Sequence, residues 1–132
     1  MPRAGWTPVT VSAHCDLPCG VYDPAQARVE ALSVKAVMEK YHGWDDQAFR
    51  QRALVIKEQR AELVKHHLWV LWTDYFKPPH FEKYPQLHRL LNEATKLAGA
   101  GGAKGSLDTA VADELLTKID EIADIFVATK ST

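Results

Sequence analysis

The residues best suited to chemistry lie close together near the start of the chain, in the segment HCDLPCGVY at residues 14–22. Both cysteines of the chain, Cys15 and Cys19, are there, and His14 precedes the first of them. The proline and glycine of this segment favour a compact loop over a helix. Thiolate donors select soft or borderline metals, and a square-planar set of nitrogen and sulfur donors suits Ni(II) or Cu(II). The spacing alone leaves a disulfide, half of a zinc site or two inert thiols as alternatives.

Residues 1–13 differ from the rest of the chain and predict a leader that is removed on maturation. They contain two prolines and no helical period, and they lack the apolar stretch of about 7–15 residues found in secretory signals. A disordered tail is the alternative interpretation. Cleavage between Ala13 and His14 would free the α-amine of His14. That amine, the amide nitrogen of Cys15 and the Cys15 thiolate would close two fused five-membered chelate rings. Cys19 would then be the fourth in-plane donor, and the His14 imidazole could reach an axial position.

Helical patterns dominate from residue 23 onward and predict four amphipathic helices. Asp23 is a typical N-cap with Pro24 at the first helical position, and Gly43 follows the last periodic residue of that helix. The other helices are expected over residues 46–75, from residue 85 to 98, and from residue 106 onward. The expected inward positions are Ala27, Ala31, Val34, Met38 and Tyr41; then Phe49, Ala53, Ile56, Leu63 and Val70; then Leu87, Leu91, Ala94 and Ala98; and finally Val111, Leu115, Ile119, Ile122 and Phe126.

Four amphipathic helices with short connections predict an all-α chain, folded as an antiparallel up-and-down four-helix bundle. The segment at residues 14–22 would form a metal-binding hook at the N-terminal side of this bundle. We expect one domain over residues 14–132. Residues 77–84 are expected to be irregular, and the four glycines of residues 99–105 predict a flexible turn.

Composition limits the classes of function. The 132 residues are 46% hydrophobic and 25% charged, as expected for a single globular domain. Sixteen basic and seventeen acidic residues give a net charge of −1, so no overall field attracts nucleic acid. The most apolar stretch, residues 68–72, is far shorter than the roughly 18 residues of a membrane span. We therefore expect a small cytoplasmic protein without nucleic-acid or membrane partners.

Two opposite charges lie at positions that the helical pattern places near the core. Arg60 falls on the apolar stripe of the second helix, and Glu30 lies at the edge of the stripe of the first. A buried charge is costly unless it is paired. The pattern therefore predicts that Glu30 and Arg60 pair. This pair could contribute to the metal site, or it could be a simple ion pair between two helices.

The segment HCDLPCGVYDPAQAR resembles the nickel hook of nickel-containing superoxide dismutases, and the resemblance continues through VIKEQRAELVKHH and DYFKPPHFEKYP into the last helix. It covers essentially all of residues 14–132. It implies a four-helix-bundle subunit, one nickel ion per subunit bound by His14, Cys15 and Cys19, and assembly into a homohexamer. It also implies proteolytic exposure of the hook histidine by a leader-processing peptidase. The implied reaction converts superoxide into oxygen and hydrogen peroxide by Ni(II)/Ni(III) cycling.

The resemblance also implies roles for residues around the hook. The residue matching Glu30 hydrogen-bonds the hook imidazole with the residue matching Arg60 behind it, while Asp16 orders the loop. Tyr22 and Tyr75 match tyrosines that line the substrate approach. Separately, Lys77 lies at a turn, where it could attract the superoxide anion locally; a solvated lysine is the alternative.

Two other functions remain open on the residues alone. Cys15 and Cys19 could form a reversible disulfide in a thiol redox protein. The same loop could also hold nickel or copper in a helical module without catalysis. Neither function requires a free amine at His14.

Overall fold

The computed structural model describes residues 20–130, and it is helical apart from turns and short connections. No residue in this range belongs to a strand, so the expected all-α class is confirmed. None of its helices is long and apolar enough to cross a bilayer. The elements are α1 (Ala25–Gly43), α2 (Gln47–Val70), the π-turn (Leu71–Tyr75), α3 (Pro78–Lys83), α4 (Leu87–Ala98), the 3₁₀ turn (Ala103–Gly105) and α5 (Thr109–Lys130).

The four long helices surround one main core. α1 contacts α2 and α5, and α4 contacts the same two helices, so the four form a closed ring. This arrangement is that of a four-helix bundle. The largest core cluster takes side chains from all four helices, among them Ala27, Ala31, Val64, Leu68, Leu91, Ala94, Leu115, Ile119 and Ile122.

The helices begin close to the predicted capping residues. The Asp46 carboxylate accepts hydrogen bonds from the backbone N–H groups of Ala48 (2.8 Å) and Phe49 (3.3 Å), which satisfies two free donors at the start of α2. The Asp23 carboxylate accepts from the N–H of Ala25 at 2.9 Å, as expected of a capping residue. The helix α1 itself begins at Ala25, one residue later than expected. The inward positions expected on α1, α4 and α5 are buried, except that Tyr41 and Val111 are half-buried.

The apolar stripe predicted for α2 is wrong over most of its length. Phe49 is 49% exposed, and Ile56 and Leu63 are only half-buried. The helix presents the neighbouring stripe to the core instead. That stripe contains a lysine and two alanines, so it is less hydrophobic than the stripe beside it, and periodicity alone selected the wrong one. The residues that α2 buries are Ala53, Lys57, Ala61, Val64, Leu68 and Val70.

The glycine-rich residues 99–105 form a packed loop where a flexible turn was expected. Gly102 and Ala103 are buried. A Cβ atom on Gly102 would clash with the carbonyl oxygen of Leu97, so glycine is needed there for close approach. The loop is held from α2 by the buried Lys57, whose Nζ donates to the carbonyls of Lys104 (3.0 Å) and Ser106 (2.7 Å).

The segment expected to be irregular, residues 77–84, contains the short helix α3. Pro78 occupies its first position, where the missing N–H costs nothing and the fixed φ suits a helix. The N–H of Lys77 donates to Nδ1 of His80 at 3.0 Å and closes the N-terminal turn.

Candidate metal centre

His14, Cys15, Asp16 and Cys19 lie outside the described residues, so their roles as ligands and as a loop-ordering group stay predictions. Within residues 20–130, no group of three or more His, Cys, Asp or Glu side chains could hold a metal ion. The described part of the centre is therefore the surface beside the predicted donor segment. That surface begins at Gly20, which comes directly after Cys19 in the chain.

The donor set that the sequence offers fits nickel by its chemistry. Two thiolates, an amine and an amide nitrogen are donor types that suit Ni(II). Anionic sulfur and nitrogen donors also stabilise the higher oxidation state of nickel. With carboxylate and water ligands alone, nickel would be too difficult to oxidise. The two cysteines and His14 supply these donors within six consecutive residues.

Gly20 has a left-handed backbone conformation, with φ of 74°. An L-residue with a side chain adopts this region at a cost of about 1–2 kcal/mol. A Cβ atom at Gly20 would meet no heavy atom within 4 Å, so the requirement for glycine comes from the backbone and not from crowding. The backbone conformation directly after Cys19 therefore favours glycine.

A cleft of about 330 Å³ brings three of the predicted site residues together. The rings of Tyr22 and Tyr75 have centroids 5.6 Å apart at an angle of 58°, and Lys77 lies beside them. Gly20 lines the same cleft, so the predicted donor segment joins the described chain here. The lining residues are Gly20, Tyr22, Asp74, Tyr75, Lys77 and Lys130.

The π-turn at the end of α2 sets the position of Tyr75. The N–H of Phe76 donates to the carbonyl of Leu71 at 2.9 Å, five residues back, where a regular helix would use the residue four back. The additional residue in the turn rotates the next part of the chain by about 100° relative to a continuing α-helix. Tyr75 is half-buried beside the core, and Phe76 is buried. Single π-turns within helices are frequent at functional sites.

Aromatic neighbours confine the ring of Tyr75 on several sides. Its centroid lies 4.5 Å from that of Phe126, 5.0 Å from that of Phe76 and 5.8 Å from that of His80, which is stacked on it at 11°. Its hydroxyl lies 2.7 Å from Oγ1 of Thr129 on the last turn of α5. The phenol is therefore held in one place by packing and by one hydrogen bond.

Two ammonium groups flank the cleft. Nζ of Lys77 donates to the backbone carbonyl of Asp74 at 2.9 Å, which fixes the side chain beside the turn. Nζ of Lys130 lies 5.0 Å from the ring centroid of Tyr75, within the range of a cation–π contact. One carboxylate, that of Asp74, also lines the cleft. Two cations and one anion give the cleft a local positive charge, which attracts small anions.

The predicted pair of Glu30 and Arg60 is present. Nη1 of Arg60 lies 3.1 Å from Oε2 and 3.3 Å from Oε1 of Glu30. The side chain of Glu30 is 17% exposed and that of Arg60 is 39% exposed, so Arg60 lies at the edge of the core and not within it as expected. Glu30 also lines a cavity of about 410 Å³ with His67 and residues of the first two turns of α1.

Three residues that contact Tyr75 were missed in the sequence: Thr129, Lys130 and His80. Thr129 continues the inward series of Ile122 and Phe126 along α5, and a polar residue on an apolar stripe is a usable signal. Lys130 and His80 carried no comparable signal, because their contacts depend on how α3 and the end of α5 meet the π-turn.

Comparison with known proteins identifies the family. The model of the family described as nickel-containing superoxide dismutase matches residues 9–130. The superoxide dismutase [Ni] of Streptomyces coelicolor is 66% identical over 122 residues, covering 92% of each chain, and that of Streptomyces seoulensis is 65% identical with the same coverage.

Solved structures agree with this match. A native nickel superoxide dismutase is 64% identical, has a TM-score of 0.86, and is covered in full by 90% of this chain. A crystal structure of a Ni-containing superoxide dismutase with oxidised-state nickel ligation gives the same score and coverage at 63% identity. The thiol-redox and passive metal-binding alternatives are not favoured by these similarities. The chain belongs to the family of nickel-containing superoxide dismutases.

Proposed function

We propose that this chain disproportionates superoxide into oxygen and hydrogen peroxide with one nickel ion per subunit as its cofactor. The observation that carries the proposal is the cleft at which Tyr22, Tyr75 and Lys77 meet beside Gly20. Gly20 is bonded to the predicted ligand Cys19, so the cleft includes the residue at which the donor segment joins the described chain. When bound, nickel supplies one-electron chemistry by alternating between Ni(II) and Ni(III).

The proposed ligands are the α-amine and imidazole of His14, the amide nitrogen and thiolate of Cys15, and the thiolate of Cys19. Their softness and the chelate rings that they can close support this assignment. Asp16, between the two cysteines, is proposed to order the loop by accepting hydrogen bonds from nearby backbone groups. The left-handed backbone of Gly20, which favours glycine directly after Cys19, is consistent with a loop in this part of the chain.

Glu30 is proposed to accept a hydrogen bond from the His14 imidazole, with Arg60 holding the carboxylate in place. Both carboxylate oxygens lie near one nitrogen of Arg60, and an ionised carboxylate has about four acceptor sites. Acceptor capacity therefore remains for an imidazole N–H. Such partners of metal-bound histidines fix the orientation of the ring.

Tyr22, Tyr75 and Lys77 are proposed to control the approach of substrate. The two rings narrow the cleft, and the ammonium group of Lys77 favours an anion over neutral molecules of similar size. The lysine is fixed by its bond to the Asp74 carbonyl. It therefore acts at a defined point beside the rings.

Residues 1–13 are proposed to be a leader that a peptidase removes between Ala13 and His14. The solved relatives are covered in full by 90% of this chain. About a tenth of the chain therefore has no counterpart in them, and 13 residues would make up that proportion. Before the cut, the main-chain nitrogen of His14 is acylated by Ala13 and is not an amine, so nickel binding through the proposed α-amine requires the cut.

The mature chain is proposed to assemble as a homohexamer. Large apolar side chains on the outer faces of α1 and α2 are exposed, and such surfaces are typical of protein contacts. Sedimentation of the nickel-loaded protein gives the subunit number directly. The exposed apolar residues on these faces include Val29, Leu32, Phe49, Val55 and Trp69.

The cytoplasmic location expected from the sequence stays a prediction.

The test of this function is the decay of superoxide in the presence of chains that begin at His14. Nickel-loaded protein should accelerate the decay, whereas the same protein loaded with zinc should not, because zinc has no redox chemistry. Cys15→Ser and Cys19→Ser should each abolish the acceleration and leave the helical circular dichroism intact. Equal acceleration by the zinc form, or full activity in either serine variant, would overturn the proposal.

A further inference from the structure

Thr129 occupies a position in the last turn of α5 where its hydroxyl meets the phenol of Tyr75. The side chain is on the core side of the helix, with 9% of the residue exposed. Its Oγ1 lies 2.7 Å from the Tyr75 hydroxyl and 2.6 Å from the carbonyl oxygen of Phe126, to which it donates. Thr129 therefore connects the phenol to the backbone of α5.

The direction of the hydrogen bond between the two hydroxyls can be deduced from the number of hydrogens. A threonine hydroxyl carries one hydrogen and two lone pairs. That hydrogen is directed to the Phe126 carbonyl, so the Thr129 oxygen acts as the acceptor toward Tyr75. Tyr75 is consequently the donor in this pair, and its single phenolic hydrogen points at α5.

The ring of Tyr75 has little freedom to choose another acceptor. Phe126 and Phe76 pack against it at centroid distances of 4.5 and 5.0 Å, and His80 stacks on it. Rotation about the C–O bond is the remaining freedom, and the bond to Thr129 removes it. The oxygen of Tyr75 keeps acceptor capacity, and Tyr75 lines the cleft.

We infer that Thr129 is a positioning residue that makes Tyr75 a hydrogen-bond acceptor toward the cleft. The inference rests on the proposed function, in which Tyr75 lines the substrate approach. Superoxide is an anion without a hydrogen, so a phenol whose hydrogen is committed elsewhere does not bind it. Water and hydrogen peroxide carry hydrogens and can donate to the phenol oxygen. Tyr75 therefore orients water or the protonated product. The cationic groups of the cleft, Lys77 and Lys130, attract superoxide.

The test compares Thr129→Val, which keeps the β-branched shape and removes the hydroxyl, with Thr129→Ser, which keeps the hydroxyl. Ultraviolet resonance Raman spectra report whether a tyrosine donates, through the stretching frequency of the ring C–O bond. Subtracting the spectrum of Tyr75→Phe isolates the bands of Tyr75. We expect Thr129→Val to shift this frequency and Thr129→Ser to restore it. An unchanged frequency in Thr129→Val would overturn the inference.

Turnover gives an independent readout in nickel-loaded protein. Loss of one hydrogen bond that acts in the reaction predicts a decrease of about 2- to 10-fold in Thr129→Val. In a Tyr75→Phe background the same change should have no further effect, because the donor is already gone. An equal decrease in both backgrounds would show that Thr129 acts by packing, which contradicts the inference. The Raman result does not require activity, so failure of the proposed function would be seen separately as absent nickel-dependent turnover in the unaltered protein.

Discussion

Nη1 of Arg60 on α2 lies within 3.3 Å of both carboxylate oxygens of Glu30 on α1. The two side chains are unequally exposed, at 17% for Glu30 and 39% for Arg60. Removal of Arg60 would leave the less exposed charge without this partner, whereas removal of Glu30 would leave a cation that can turn toward water. Substitution of Arg60 and substitution of Glu30 should therefore have different effects.

Arg60→Met should lower the free energy of unfolding by about 1–3 kcal/mol, because the carboxylate of Glu30 loses a charged hydrogen-bond donor in a largely buried position. Urea unfolding monitored by circular dichroism measures the change. Arg28→Met is the matched control, since Arg28 pairs with Asp120 at 2.9 Å while both side chains are about half exposed. Exposed pairs contribute about 0–1 kcal/mol. Equal losses in the two variants would contradict a special role for the burial of Glu30.

Glu30→Ala should leave nickel held by the two thiolates and the main-chain nitrogens and should weaken its binding to the His14 imidazole. Loss of a carboxylate behind a metal-bound histidine typically costs about 10–100-fold in affinity or activity. Electron paramagnetic resonance of the oxidised nickel would report the bound imidazole nitrogen through its hyperfine splitting. Glu30→Gln keeps an acceptor oxygen, so it should lose less nickel affinity and less activity than Glu30→Ala. Unchanged splitting and turnover in Glu30→Ala would mean that the pair is only an interhelical brace.

Lys57 should make the stability of the bundle depend on pH. Burial lowers the pKa of Lys57 below the ordinary value of 10.5. Between the lowered pKa and 10.5, the unfolded chain binds more protons than the folded chain, so the contribution of Lys57 to the free energy of unfolding rises with pH. A neutral amine still has two hydrogens for the carbonyls of Lys104 and Ser106. Comparing urea unfolding at neutral pH and just below 10.5 should reveal this rise in the unaltered protein but not in Lys57→Met.

Lys118→Met is the control for that measurement. A hydrogen bond to Glu93 raises the pKa of Lys118 above 10.5. Its stabilising contribution is therefore complete below 10.5 and is lost only as the pH passes through the raised value. Lys118→Met should leave the rise below 10.5 unchanged. If Lys57→Met shows the same rise as the unaltered protein, the buried amine is not its source.

The sequence predicts all four long helices. It predicts the inner faces of three of them correctly, because on α1, α4 and α5 a single apolar stripe faces the core. On α2 it fails, since Lys57 interrupts the buried stripe and Phe49 strengthens the exposed one. Lys57 can be buried only because the glycine-rich loop brings two carbonyls to its ammonium group. That contact joins residues nearly 50 positions apart, as in the pair of Lys57 and Ser106, and periodicity carries no record of it.

The candidate site was also predictable only in part. The pair of Glu30 and Arg60 was predictable from two opposite charges beside neighbouring apolar stripes. Tyr22 and Tyr75 were assigned to the site from the resemblance, and Lys77 from its place at a turn. Their grouping was not predictable from periodicity, because the π-turn that orients Tyr75 depends on an irregular hydrogen bond between Phe76 and Leu71. No local pattern in the sequence predicts such a turn.

The central claim, that the chain becomes a nickel superoxide dismutase when His14 acquires a free α-amine, is tested most directly by one kinetic comparison. Superoxide decay is monitored after nickel is supplied to the full chain, with Met1 confirmed at its terminus by mass spectrometry, and to the chain that begins at His14. We predict nickel-dependent acceleration by the shorter chain and none by the full chain. Equal acceleration by both would contradict the claim.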